Sequence, residues 1–205
     1  MSSPTLVIPS QQTIPVAIVG LPEAGKTAFV RRLCGESLGM LLRTVGIDAE
    51  LYRQGELSFH LFDLGGGEAF QKVLWEHYIR IAEGIIFVVD GANPNSFPNA
   101  YKCFSNVIEW TKPGIPILLL WNKSDSPAFV PYFELSDEIC FNISESKTLF
   151  PITVAQISAL QDLEIKGAFD WLAQQIYENM MSKPAKIQAL RVYSRHPEII
   201  LAQIG

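Results

Sequence analysis

The fold is decided by residues 20–27, which read Gly20-Leu21-Pro22-Glu23-Ala24-Gly25-Lys26-Thr27. This stretch has the pattern G-x-x-x-x-G-K-[ST] and lies between an apolar segment, residues 14–19, and a helix-compatible segment, residues 28–33. Glycines let consecutive backbone N–H groups turn around an anion, and the start of the next helix adds positive dipole. We therefore predict a strand, a phosphate-binding loop and a helix. The alternative is a glycine turn that opens a helix and binds nothing.

Two side chains of the loop carry its chemistry. The Lys26 ammonium is expected to reach the β- and γ-phosphates of a nucleotide, and the Thr27 hydroxyl is expected to bind Mg²⁺. The neighbouring positions are expected to surround the phosphates. The predicted phosphate-binding residues are therefore Gly20, Glu23, Ala24, Gly25, Lys26, Thr27 and Ala28.

Composition fits one compact domain. The chain has 205 residues, of which 48% are hydrophobic, and a net charge of −5. It has no apolar run near the roughly 20 residues of a membrane span, and no basic cluster beyond Arg31-Arg32, so neither nucleic acid nor an anionic membrane is favoured as a partner. The cysteines lack metal-ligand spacing, which predicts reduced thiols and a cytoplasmic protein. They are Cys34, Cys103 and Cys140.

Further along the chain, apolar segments of strand length alternate with segments of helix length. The predicted strands after the first are residues 57–63, 85–90, 116–121 and 151–156. The predicted helices are residues 70–81, 97–110 and 132–143, followed by a last helix whose apolar face carries Phe169, Leu172, Ala173 and Ile176. Such alternation predicts a mostly parallel sheet with helices on both faces, and ligands then bind beyond the carboxyl ends of the strands.

Polar and glycine residues follow three of these strands at the edge where a ligand is expected. Asp63 can hold Mg²⁺ directly or through water, and the nearby Gly66 lets a backbone N–H approach a terminal phosphate. The sequence Asn122-Lys123-Ser124-Asp125 follows the strand 116–121, and Ser158-Ala159 follows the last strand. A helix-capping Asn/Asp turn is the alternative for residues 122–125.

Together these motifs resemble the Ras-type small GTPase superfamily over residues 14–182. The resemblance implies a P-loop NTPase three-layer α/β fold with a mostly parallel six-stranded sheet, and GTP or GDP with Mg²⁺ as the bound cofactors. Residues 1–13 are then an N-terminal extension. Residues 183–205 are a C-terminal tail that packs on the domain or docks a partner.

In that family the Asn-Lys-x-Asp loop binds guanine. The resemblance implies that Asp125 accepts the N1 and N2 protons, while Asn122 contacts N7 and ties to the phosphate loop. The stem of Lys123 would cover the ring, and the Ala159 N–H would face O6, with Ser158 supporting the carboxylate. The implied base-binding residues are Asn122, Lys123, Asp125, Ser158, Ala159 and Leu160.

The closer resemblance is to the Arf/Arl branch. It is carried by Asp63-Leu64-Gly65-Gly66, Leu74-Trp75-Glu76-His77-Tyr78, and residues 44–50 and 84–90. It implies that Thr44 is the switch I threonine, which closes on Mg²⁺ and the γ-phosphate in the triphosphate state; an exposed loop threonine is the alternative. The implied metal ligands are Thr27, Thr44 and Asp63. The implied catalytic residues are Lys26, Thr44 and Gly66.

One position departs from the family pattern in a way that affects catalysis. Gly67 stands where the family has a water-orienting glutamine, and glycine has no side chain for that task. Glu68 is the candidate substitute, although a carboxylate beside the γ-phosphate meets charge repulsion. Arg43 is either a cis arginine finger or a solvated side chain. We therefore predict slow or partner-dependent GTP hydrolysis. The alternative is a GTP-binding scaffold with little or no turnover; an ATP-using enzyme is disfavoured by residues 122–125.

Residue 2 is Ser rather than Gly, and residues 183–205 contain no cysteine, so we expect no lipid anchor. The resemblance implies a monomeric molecular switch in signalling or trafficking. Its implied partners are effector proteins, an exchange factor and a GTPase-activating protein. We expect it in the cytoplasm, with any membrane contact made through those partners.

Overall fold

A six-stranded sheet forms the centre of the computed structural model, which describes residues 13–40, 43–68, 71–134 and 149–182. The strands are β1 (Ile14–Val19), β2 (Ile47–Gln54), β3 (Leu57–Leu64), β4 (Gly84–Asp90), β5 (Ile117–Asn122) and β6 (Ile152–Gln156). Their order is β2-β3-β1-β4-β5-β6, and all neighbours are parallel except β2 and β3. The predicted mostly parallel six-stranded sheet is confirmed.

Four α-helices cover the sheet within these ranges. They are α1 (Lys26–Leu33), α2 (Glu76–Ile81), α3 (Phe97–Trp110) and α4 (Ile165–Ser182). The predicted helix 70–81 consists of two consecutive segments: a π-helical segment, Gln71–Trp75, and the α-helix α2 that follows it. Of the predicted helix 132–143, only a 3₁₀ turn, Tyr132–Glu134, falls in the described residues. Among the described helices, none combines the length and apolarity that a membrane crossing requires.

Two hydrophobic layers, one on each face of the sheet, give the three-layer architecture. Strand β5 is buried at every position, and β4 at all but its last, because helices cover both of their faces. Helices α1 and α4 bury Phe29 and Phe169 against one face. Helices α2 and α3, with the π-helical segment, bury Trp75 and Phe104 against the other. The predicted α/β class with helices on both faces is confirmed.

Strand β2 is an edge strand that the apolar pattern does not reveal. Most of its side chains are exposed or half-buried, so it lacks the apolar run that marks the central strands. Its stability comes from a continuous antiparallel ladder with β3 that extends from Ile47 opposite Leu64 to Gln54 opposite Leu57. The tight turn at Gly55, which has φ +57°, sets this register.

Parallel pairing brings the carboxyl ends of the strands to one edge of the sheet. Ile18, just before the phosphate loop, lies opposite Asp63 at the end of β3. Asp90 at the end of β4 lies opposite Asn122 at the end of β5. The polar residues selected from the sequence therefore meet at one edge. Residues 1–12 and 183–205, which hold nearly all of the predicted extension and the whole predicted tail, lie outside the described residues, as does Cys140.

Phe169 is the clearest test of the core. Its side chain is fully buried, and its ring makes edge-to-face contacts with Tyr52 and Phe59, each at a centroid distance of 5.1 Å. We expect Phe169→Ala to lower the free energy of unfolding by about 3–5 kcal/mol, because it removes buried apolar surface and leaves a cavity. Urea unfolding monitored by circular dichroism measures this loss.

Phe133 supplies the matched control, because its side chain is 77% exposed. The same change there, Phe133→Ala, should alter the free energy of unfolding by no more than about 0.5 kcal/mol. Equal losses for the two variants would contradict the assigned core.

Candidate functional site

A cavity of about 530 Å³ opens at the carboxyl edge of the sheet. Its volume is in the range of small-molecule and cofactor sites. Most of the residues predicted to bind a ligand line it: Glu23, Gly25, Lys26, Thr27, Ala28, Thr44, Gly66, Asn122, Lys123, Asp125, Ala159 and Leu160. Asp63, Ser158 and Ala24 are buried behind this wall and bond to side chains that line it.

The phosphate loop turns sharply into α1 at Gly25. This residue has φ +99°, and a Cβ atom there would lie 2.1 Å from Asn122 Nδ2, so no other residue fits without displacement. Helix α1 begins at the next residue, Lys26, so its N-terminus borders the cavity. Glu23 also has positive φ, at +64°. Turned backbone and a helix N-terminus together form an anion-binding concavity.

Lys26 lies within the loop and is 6% exposed. Its ammonium donates to the carbonyl oxygens of Gly20 and Leu21, both at 2.9 Å. A lysine has three donors, so one remains for a phosphate oxygen. Burial lowers the pKa of Lys26 to about 8, although the charge of Asp63 opposes this shift. A bound phosphate would supply the negative charge that this buried ammonium needs.

Three oxygen-bearing side chains converge beside Lys26. Asp63 Oδ2 accepts from Thr27 Oγ1 at 2.5 Å and from Thr44 Oγ1 at 3.3 Å, and the two hydroxyls are 2.9 Å apart. Asp63 Oδ1 is buried and has no hydrogen-bond partner among the described residues. Burial raises the pKa of this carboxyl, against opposing hydrogen bonds and the charge of Lys26.

This oxygen cluster fits Mg²⁺. Magnesium prefers oxygen ligands and is usually bound by one or two carboxylates with phosphates and water, rather than by a complete protein cage. Within the described ranges, no group of three or more His, Cys, Asp or Glu side chains offers another metal site. A cation at Asp63 would give its buried Oδ1 a partner.

The opposite end of the cavity is built around Asn122. Its Nδ2 donates to Ala24 O at 2.9 Å, which is the tie to the phosphate loop that the family resemblance implies. Its Oδ1 accepts the Ala159 N–H at 3.1 Å. Ser158 Oγ donates to Asp125 Oδ1 at 2.5 Å. These bonds fix a carboxylate and a peptide group at this end of the cavity.

Lys123 lines the same end with its ammonium held in place. Its Nζ donates to Asp90 Oδ2 at 2.6 Å, which joins the ends of β4 and β5. Leu160 also lines the cavity, and its side chain is 63% exposed. An exposed leucine in a cavity wall provides apolar surface that a flat ring can cover.

Gly66 approaches the phosphate loop so closely that it has no room for a side chain. A Cβ atom there would lie 2.5 Å from the backbone nitrogen of Pro22. Gln71 Nε2 donates to Gly66 O at 2.8 Å, and Trp75 Nε1 donates to Gly65 O at 3.0 Å. The sequence predicts Gly66 in the site but not the side chains that hold it. The neighbouring motif at residues 74–78 was the only signal for Trp75.

The candidates for catalysis are only partly brought together. Gly67 lines the cavity, whereas Glu68 is exposed and does not line it. Arg43 forms an exposed ion pair with Glu23, and this pairing holds the pKa of the Glu23 carboxyl below its usual value. The guanidinium thus lies at the rim of the cavity, joined to the phosphate loop. The sequence does not predict this pair.

The fold and the site define a nucleotide-binding protein of the P-loop class. The model of the ADP-ribosylation factor family matches residues 4–176. ADP-ribosylation factor-like protein 8c of Arabidopsis thaliana is 31% identical over 166 residues, which cover 79% of this chain and 87% of the relative. Human ADP-ribosylation factor-related protein 1 is 27% identical over 188 residues, which cover 82% of this chain and 88% of that relative. The chain belongs to the ADP-ribosylation factor family of small GTPases.

Solved structures show the same fold. The Arl6 BBS3 small GTPase of Trypanosoma brucei, with the bound nucleotide analogue GppNp, superposes with a TM-score of 0.70 at 23% identity. The match covers 82% of this chain and 99% of that one. The mammalian SRP receptor has a TM-score of 0.67 at 19% identity, covering 78% of this chain and 98% of that one. These likenesses confirm the P-loop α/β architecture.

The lowered pKa of Lys26 predicts how stability depends on pH. Between about 8 and the ordinary value of 10.5, the unfolded chain holds a proton that the folded chain has lost, so stability rises with pH. From about pH 7 to about pH 9.5, Lys26 should add about 2 kcal/mol to the unfolding free energy of ligand-free protein. Lys26→Met should lack this gain, which urea unfolding at both pH values measures.

Lys112→Met controls for the loss of one positive charge, because Lys112 is exposed and does not line the cavity. The wild-type protein and this control should show the same rise. If Lys26→Met shows it as well, the assignment to the buried ammonium is wrong.

Proposed function

We propose that this chain is a Mg²⁺-dependent guanine-nucleotide-binding switch that cycles between GTP-bound and GDP-bound states. The observation that carries the proposal is the continuity of the cavity. An anion-binding loop with the buried Lys26 lies at one end, and the carboxylate of Asp125 lies at the other. The Asn122 amide bonds to both ends, so it holds phosphate and base sites at a fixed separation.

The base end supports guanine over adenine. Asp125 is an acceptor held by Ser158, and guanine presents two donors, N1–H and N2–H, to such a group. Adenine has no matching pair of donors, so it would leave a carboxylate unpaired. A site built to hydrogen-bond a ligand rejects analogues that leave its polar groups unsatisfied. An ATP-using enzyme is therefore the weaker hypothesis.

The phosphate end supports a switch mechanism. Bound Mg²⁺ would neutralise phosphate charge, and Thr27 and Asp63 are the residues that would hold it. Thr44 comes from the segment before β2 and reaches the same cluster. We infer that Thr44 and the Gly66 N–H contact the γ-phosphate end, so that loss of this phosphate releases both segments. Order and disorder of these segments would then distinguish the two states.

Exposed apolar side chains, of which Val45 lines the cavity, support partner binding. Val45 and Val73 are 81% and 71% exposed, and Ile47 and Leu51 on β2 are also exposed. Exposed apolar surface next to a binding site marks an interaction surface. We propose that effectors, an exchange factor and a GTPase-activating protein bind there.

We also propose that the protein acts in the cytoplasm. The free thiols of Cys34 and Cys103 are consistent with a reducing compartment of this kind.

We further propose that intrinsic GTP hydrolysis is slow or depends on a partner. Gly67 borders the cavity without a side chain that could orient water, and Glu68 is exposed. Arg43 is paired with Glu23 at the rim of the cavity. A GTP-binding scaffold with little or no turnover is the second candidate, and the lack of a side chain at Gly67 favours it as well.

The Asp125→Asn variant tests base recognition. The Asp125 carboxylate can accept hydrogen bonds from both N1–H and N2–H of guanine. The asparagine amide has one acceptor and one donor group, so it can accept only one of these bonds, and GDP affinity should fall by about 100-fold or more. Xanthosine diphosphate carries an oxygen at position 2 of its ring, which accepts from the new amide. We expect the variant to prefer xanthosine diphosphate over GDP. Fluorescence competition against a labelled nucleotide gives both dissociation constants.

Asp162→Asn is the matched control, because Asp162 is exposed in the adjacent loop and its φ of +58° suits asparagine. It should keep the wild-type preference for GDP over ADP. Wild-type protein that binds ADP as tightly as GDP, or that binds neither, would refute the proposed function.

The Gly67→Gln variant tests the hydrolysis hypothesis. A glutamine at this position would supply the missing water-orienting amide, so the single-turnover GTPase rate with Mg²⁺ should rise by about tenfold or more. Gly167→Gln controls for the substitution itself, because the Gly167 Cβ position in α4 has no neighbour nearer than 3.5 Å. An unchanged rate in Gly67→Gln sinks the hypothesis that Gly67 limits hydrolysis.

A further inference from the structure

An arginine of α1 bonds to the loop after β6, which is far from it in the sequence. Arg32 Nε donates to Ala159 O at 3.2 Å, and its Nη2 donates to Leu160 O at 2.9 Å. Both acceptors belong to the wall at the base end of the cavity. The side chain thus contacts the back of the loop whose front would meet the base.

Hydrogen bonds within the loop after β6 hold its two ends together, but they do not involve the carbonyl groups of Ala159 and Leu160. Ser158 and Leu163 form an antiparallel bridge of two hydrogen bonds. The N···O distance is 3.3 Å from Ser158 N to Leu163 O and 3.0 Å from Leu163 N to Ser158 O. Ser158 Oγ also accepts the Gln161 N–H at 3.0 Å. The Ala159 and Leu160 carbonyls lie outside this bridge, and the Arg32 fork supplies their side-chain donors.

The backbone of Ala159 is therefore held from two sides, through its N–H and its carbonyl oxygen, which belong to consecutive peptide groups. On the cavity side, Asn122 Oδ1 accepts its N–H at 3.1 Å, and on the outer side Arg32 holds its carbonyl oxygen. An N–H donor can share its hydrogen with a second acceptor, as three-centre bonds in proteins do. In the complex proposed above, purine O6 is that second acceptor.

We propose that Arg32 is a positioning residue for base recognition: its guanidinium sets the loop so that the Ala159 N–H meets the O6 atom of guanine. The proposal rests on the proposed guanine-nucleotide function. Arg32 touches no part of the ligand and acts only through the two carbonyls. Its planar fork suits two acceptors at once, which a lysine ammonium on a flexible stem matches less well.

Arg31 is the natural comparison within the same helix. It precedes Arg32 directly, but its Nη1 donates to Leu38 O at 3.1 Å, in the segment after α1 rather than in the loop after β6. Removing either guanidinium makes the same chemical change to α1. Only the change at Arg32 removes support from the base loop.

The test compares GDP with the diphosphate of 2-aminopurine riboside, whose ring keeps the N2 donors but lacks both the O6 acceptor and the N1–H donor, so each variant is compared with the wild type separately for each ligand. Dissociation constants are measured by competition for the full-length wild type, Arg32→Ala, Arg32→Lys and Arg31→Ala. Arg32→Ala should weaken GDP binding by about tenfold, since about one hydrogen bond is lost, and should weaken analogue binding by less than about threefold. Arg32→Lys should recover part of the GDP affinity, and Arg31→Ala should affect both ligands equally.

Three results overturn the proposal: unchanged GDP affinity in Arg32→Ala, equal losses for GDP and the analogue, or the same selective loss in Arg31→Ala. Thermal unfolding of each variant reports whether it folds. If Arg32→Ala does not fold, the comparison of Arg32→Lys with the wild type tests the proposal instead, and we expect Arg32→Lys to lose affinity for GDP but not for the analogue. Failure of the proposed function looks different, because the wild type would then show no preference for GDP over ADP before any variant is compared.

Discussion

The amide of Asn122 is the contact on which the whole site depends. It is 2% exposed, and it donates to the phosphate loop while accepting from the loop after β6. Its Nδ2 atom also occupies the space that a side chain at Gly25 would need. Sheet order alone would bring the loops near each other. This side chain sets the distance between them, so one rigid ligand can occupy both.

Lys26 and Asp63 place opposite charges in the same buried region, and each is incompletely satisfied. Burial moves the pKa of the ammonium down and that of the carboxyl up, so desolvation opposes both charges. An anion beside Lys26 and a cation beside Asp63 would relieve both penalties together. These two buried charges therefore support the proposed binding of a phosphate together with a cation.

The sequence predicts the central strands, the sheet class and the residues at the strand ends, because buried parallel strands are apolar runs followed by characteristic loops. It does not predict β2, whose order depends on pairing with β3 rather than on its own apolar content. Nor does it predict the contacts of Arg32 or Gln71. Arg32 bonds to backbone carbonyls more than 120 residues further along the chain, and Gln71 bonds to a carbonyl five residues before it. No pattern of apolar or polar residues records either partner.

The segment before β2 is attached to the phosphate loop and its helix in two ways that differ in their exposure to solvent. Thr44 joins a partly buried cluster with Thr27 and Asp63, whereas Arg43 pairs with Glu23 at the rim, where both side chains are mostly exposed. Mobile ions screen exposed pairs far more than buried ones. A rise in ionic strength therefore weakens the ion pair of Arg43 with Glu23 and leaves the cluster around Thr44 largely intact. The salt concentration around the protein thus changes how firmly this segment is held.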